Sequence, residues 1–204
     1  MFDDFPEENN PYLIMKANFL FLLVLFIIIS SSSVVFALDG NRKGFIIGIG
    51  AGASCVNMDF ESPIKSEFKT GLATSLKIGG GISNQFVLYY VRNASWISYQ
   101  IETEAYSYKG QKEIFVTGIS GLGVTYYFSP ESPSWYFLGA IGIGDVATPF
   151  ADDSGSESGS AFMAGGGYEF SPHAHVEGTI LMADIDDVGL KTNAFQMSVN
   201  YLWY

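Results

Sequence analysis

Phe195-Gln-Met-Ser-Val-Asn-Tyr-Leu-Trp-Tyr204 carries the decisive pattern. Phe195, Met197, Val199, Tyr201 and Trp203 recur at spacing two, against Gln196, Ser198, Asn200 and Leu202 between them. A period of two places each set on one face of a β-strand, because successive side chains of a strand point to opposite sides. One face is wholly apolar and the other small or polar. The same division recurs upstream. Phe45, Ile47, Ile49 and Ala51 oppose Ile46, Gly48, Gly50 and Gly52, while Val176, Gly178, Ile180 and Met182 oppose Glu177, Thr179, Leu181 and Ala183. If the apolar face pointed inward, the chain would be a soluble barrel of the lipocalin kind, with Phe45, Ile47, Val199 and Tyr201 inside. The small and polar opposite face argues for the reverse arrangement, with lipid outside.

Eight such runs are present: 44–54, 70–80, 85–98, 113–128, 135–147, 160–170, 175–183 and 194–204. Pro63, Pro130, Pro133, Pro149 and Pro172 fall between runs or at their ends, where no ladder donor is needed. The connections alternate in length. Residues 81–84, 129–134 and 171–174 are short, whereas 55–69, 99–112, 148–159 and 184–193 are long and polar. This predicts an all-β, eight-stranded antiparallel up-and-down transmembrane β-barrel, with short turns on the periplasmic side and long loops outside. Phe86, Tyr126, Phe128, Trp135, Phe137, Phe170, Tyr201 and Trp203 gather at the short-turn level, as an aromatic girdle at the periplasmic interface would.

Composition narrows the function classes. Only 15% of the 204 residues are charged and 48% are hydrophobic, and the net charge of −11 opposes the basic surface that a nucleic-acid partner requires. One cysteine, Cys55, excludes a disulfide framework and a CxxC zinc site. All 23 glycines follow residue 37. The strings Gly48-Ile-Gly-Ala-Gly52 and Gly142-Ile-Gly144 lack the GxGxxG spacing. Their reading is mechanical, since glycine lets a small barrel curve and leaves room for large facing side chains.

From Phe19 to Ile29 every residue is apolar, the length of a signal-peptide core and too short for a spanning helix. Met15-Lys16 reads as the start and its basic region, residues 1–14 as an upstream extension. Val35 and Ala37 supply the small residues for cleavage after Ala37. The expected organisation is therefore residues 1–37 as extension and signal peptide, and 38–204 as the barrel.

With these features the chain resembles the small eight-stranded bacterial outer-membrane β-barrel proteins, the group of the OmpA transmembrane domain, OmpX-like proteins and opacity-type surface antigens. The resemblance covers about residues 44–204. The alternating aromatic end is similar to the C-terminal strand that the barrel assembly machinery reads, although the family ends on Phe in phase and here Tyr204 follows Trp203 out of phase. It implies a monomer among outer-membrane lipids and lipopolysaccharide, exported to the outer membrane.

An eight-stranded barrel is about wide enough inside for its own side chains. Lys77, Glu169 and Glu177 fall on the inward phase, and Arg92 is expected with them because a charge facing lipid is costly. These four read as a polar network in the lumen that fixes register, or otherwise as a gated path. His173, His175 and Glu177 lie at i, i+2 and i+4, a spacing open to a metal or an acyl hydrolase, but they sit at a short turn with no serine beside them on the strand. No catalytic residue, metal ligand or cofactor is therefore assigned. The leading expectation is a non-enzymatic structural or surface-interaction role. A narrow channel for small solutes is the alternative, ahead of a lipid A-modifying enzyme or a lipocalin-like barrel. Asp152, Asp153, Glu157, Asp184, Asp186 and Asp187 make the outer loops acidic, open to divalent cations that bridge to lipopolysaccharide phosphates.

Overall fold

The computed structural model describes residues 40–60, 67–102, 109–150, 155–185 and 189–204. The expected extension, signal peptide and cleavage site lie outside them. The described chain forms β1 (Gly44–Phe60), β2 (Glu67–Gly81), β3 (Phe86–Glu102), β4 (Lys109–Tyr127), β5 (Ser134–Ala147), β6 (Ser156–Ser171), β7 (Ala174–Ile185) and β8 (Leu190–Trp203). Each strand pairs antiparallel with the next, and β8 pairs with β1, closing the barrel.

The strands run further than the alternation shows, chiefly at the long-loop end, where β1 continues to Phe60 and β4 begins at Lys109. There the outward face of β1 turns polar at Asn57 and Asp59 while Val56 and Met58 inside stay apolar, so the apolar-outside period fades while backbone pairing continues. Ladder hydrogen bonds need no apolar face.

Register sets the dimensions. From Ile49 the paired residues run through Leu76, Arg92, Ser120, Ile143, Ser160, Asp184 and Lys191, and return to β1 at Asp59, ten residues further along. For eight strands such a stagger goes with a tilt of roughly 35–45°. Ten residues at a rise of about 3.3 Å and a tilt of about 40° climb about 25 Å, the height of an outer-membrane apolar band. On β1 that band is Phe45, Ile47, Ile49, Ala51, Ala53 and Cys55, with Asn57 and Asp59 above it.

The outward phase decides between the two barrel types. Phe45 (48% exposed), Ile47 (36%), Val199 (59%) and Tyr201 (43%) stand outside, against a soluble barrel with an apolar interior pocket. The interior is nevertheless less polar than the alternation implies. Val56, Met58, Ile97, Ile119, Leu181, Ile185 and Leu190 are buried inside it, toward the long-loop end. Glycine makes room for the largest lumen rings: a Cβ on Gly123 would stand 2.5 Å from Tyr89 Cε2.

Candidate functional site

The lumen is filled in layers, and the lowest begins before β1. Arg42 is 2% exposed and turns under the barrel mouth. Its Nη1 donates to the carbonyl of Asn84 in the β2–β3 turn (2.8 Å) and to that of Ser129 in the β4–β5 turn (3.0 Å). Its Nη2 donates to Glu169 of β6, and its guanidinium lies 3.9 Å from the Tyr127 ring centre. The other Glu169 oxygen accepts the hydroxyl of Tyr204. The Tyr204 oxygen in turn accepts the His173 backbone N–H at 3.0 Å. Tyr204 is thus a buried lumen residue, in phase with Asn200 and Leu202. Its departure from the aromatic phase of Tyr201 and Trp203 follows from that inward position.

Above it lies a second ion pair. Lys77 of β2 donates to Glu177 of β7 at 2.5 Å, and the same carboxylate oxygen accepts the Tyr136 hydroxyl at 3.1 Å. Tyr89 shares a hydrogen bond with Thr125 (3.0 Å) and has the Lys77 ammonium 5.5 Å from its ring centre. Higher still, Gln196 joins Asn93 (3.1 Å), Ser95 (2.9 Å) and Thr179 (3.4 Å). Toward the long-loop end Val56, Met58, Ile97, Ile185 and Leu190 fill the interior.

Lys77, Glu169 and Glu177 therefore stand inside, in two separate ion pairs, Lys77 of β2 with Glu177 of β7 and Arg42, before β1, with Glu169 of β6. Arg92 is the correction. It shares the outward phase of Phe86, Leu88 and Tyr90, and its guanidinium runs over β4 to Asp145 of β5, meeting both carboxylate oxygens and the Ser120 hydroxyl on the way (3.3 Å). The path crosses Gly118, where a Cβ would stand 2.1 Å from the Asn93 carbonyl oxygen and 3.1 Å from Arg92 Nη1. A charge on so long a side chain is not held at the depth of its Cα. A long side chain escapes by reaching up to the polar edge, where Asp145 waits.

His173, His175 and Glu177 do not converge. His173 adopts φ +74° in the β6–β7 turn and its Nδ1 meets the Leu202 carbonyl at 2.9 Å. His175 and Glu177 point inward and are buried.

A family model described as outer membrane protein beta-barrel domain matches residues 19–202. The chain belongs to this family. No curated protein matches the sequence. Among solved structures, the attachment invasion locus protein Ail of Yersinia pestis in complex with the heparin analogue sucrose octasulfate is 14% identical, over 78% of this chain and 99% of that one, with a TM-score of 0.53. A second crystal structure of Ail gives 15% identity, 79% and 99% coverage and 0.52. Neisserial surface protein A gives 15%, 76% and 96%, and 0.50. At these identities the likeness concerns the fold.

Membership makes the outer face of this barrel a lipid-facing surface. Phe86, Tyr126, Phe128, Trp135, Phe137, Phe170 and Tyr201 are exposed on it, and Trp203 partly so. They touch one another in edge contacts: Phe128 with Phe137 at 5.2 Å between ring centres, Tyr126 with Phe128 at 6.1 Å, and Tyr201 with Trp203 at 4.8 Å. Sequence reasoning missed Arg42, Asp145, Tyr136 and Tyr204 as partners. Parity alone marks Tyr136 and Tyr204 as inward. Nothing local marks Arg42, whose importance comes from two turns and the foot of β6, all distant in sequence.

Proposed function

We propose that the protein serves the outer membrane as a non-enzymatic structural or surface-interaction barrel, exported after cleavage behind Ala37. The observation that carries this reading is the filled lumen, blocked by Arg42–Glu169, by Lys77–Glu177–Tyr136 and by the apolar cluster. A solute path would have to break two buried ion pairs, each of which leaves an uncompensated charge when split. Activity then belongs to the loops. In the long connections 55–69, 99–112, 148–159 and 184–193, eleven Asp and Glu stand against five Lys. Ail was crystallised with a sulfated heparin analogue, but an acidic rim repels such a polyanion. It suits a cationic partner, or divalent cations shared with lipopolysaccharide phosphates. The apolar phase of β8 supports recognition by the barrel assembly machinery, and monomer is the expected state.

Planar-bilayer recording of the purified, folded protein tests the reading against the channel alternative. No conductance steps are expected. Steady unitary steps would move the function from the loops to the lumen.

A further inference from the structure

Arg42 is bracketed by Gly40 (φ +79°) and Gly44 (φ +118°). Side chains of L-residues avoid this backbone region, so the two glycines allow residues 40–44 to fold inward under the mouth instead of extending β1 downward. One guanidinium then holds the carbonyls of two turns and the carboxylate at the foot of β6. Tyr204, beyond β8, holds the same carboxylate. Just above lies His175, 1% exposed, with its Nε2 3.9 Å from Glu169 Oε1. Neither of its ring nitrogens meets a hydrogen-bond partner among the described residues, nor do Glu177 Oε1 and Arg42 Nε. Buried polar atoms are ordinarily satisfied, so this group of four atoms, the His175 chamber, gains on contact with water whatever it loses when its floor opens.

We infer that residues 40–44 are a strap that shuts the periplasmic mouth over the His175 chamber, with Arg42 as its buckle. Two states compete. In the closed state Arg42 and Tyr204 share Glu169 and the chamber is dry of bulk solvent. In the open state the strap swings on its glycines, and water reaches His175 and Glu177 from the periplasmic side while Lys77–Glu177 and the apolar cluster still block the rest of the lumen. The strap controls entry to the chamber and not passage through the barrel. It docks only on a finished barrel, because its anchors come from the β2–β3 turn, the β4–β5 turn and the foot of β6, and the carboxylate there is shared with Tyr204 beyond β8.

Diethylpyrocarbonate, which acylates accessible imidazole nitrogens, reads the strap directly on the folded protein in detergent micelles. His173, at the turn and half-buried, is the internal reference. In the unchanged protein His175 is expected to react at least about tenfold more slowly than His173, as a group protected by local closure does. In Arg42→Ala/Glu169→Gln, which removes both charges of the buckle together, His175 approaches the rate of His173 while the unboiled gel band stays that of the folded barrel. Tyr204→Phe, which deletes one oxygen and leaves the ion pair, gives a smaller rise and covers the case in which the double variant does not fold. Equal rates for the two histidines in the unchanged protein would overturn the strap. So would unaltered protection of His175 in a folded variant.

Discussion

Asp145 neutralises a cation that the apolar belt would otherwise reject. Its partner Arg92 is 28% exposed in its side chain and Asp145 24%, on the lipid-facing surface near its polar edge. What matters is the state left when one member goes. Asp145→Ala strands a guanidinium beside acyl chains, a loss of about 1–3 kcal/mol given that lipid-facing Arg costs about 2–4 at mid-depth and about 0–1 near the interface. Arg92→Leu restores the belt and leaves a carboxylate at its polar edge, so stability should stay within about 0.5 kcal/mol. Urea unfolding in lipid vesicles measures both. Equal losses would show that the two side chains are not partners in the membrane. The sign of this asymmetry was not legible from the alternation around Arg92, whose strand is apolar on both phases. Only the register Arg92↔Ser120 and Gly118↔Asp145 brings the carboxylate within reach.

In the strands, glycine has two distinct uses. Gly123 of β4 faces the lumen beneath the Tyr89 ring, whereas Gly178 of β7 faces outward with nothing within 4 Å of where a Cβ would stand. Gly123→Val forces the ring out of its place against Thr125, and overpacking of this kind costs about 1–3 kcal/mol. Gly178→Ala meets no obstacle and trims the freedom of the unfolded chain, a gain of about 0.4–1 kcal/mol. The same unfolding experiment separates them, and a loss at both positions would mean that curvature of the strand, not room for a neighbour, is what glycine supplies. Strand extent shows where the period stops being informative. Above the belt, β1 goes on pairing where Asn57 and Asp59 make its outward face polar, and β4 begins in the polar run 109–113, so the alternation underestimates their length although it finds every strand.

The barrel is closed by the β8–β1 pairing, so every strand has a neighbour on both sides over most of its length. Breaking it therefore requires losing many bonds together, which is why an unboiled sample in detergent is expected to migrate apart from a boiled one on a gel. A protein that ran identically before and after boiling would lack the closed seam between β1 and β8. Strand number, the outward apolar phase, the girdle and the inward phase of Lys77, Glu169 and Glu177 were readable in the chain, because they follow from a local period of two and from where prolines and polar connections fall. The ten-residue stagger, the pairing of Lys77 with Glu177, the escape of Arg92 over Gly118 and the convergence of Arg42 and Tyr204 on Glu169 were not. They join residues between 35 and 127 positions apart, or depend on which residue stands across a ladder. A repeating pattern dictates which side of a strand each residue takes, and closure of the barrel alone decides which of the inward and outward residues meet.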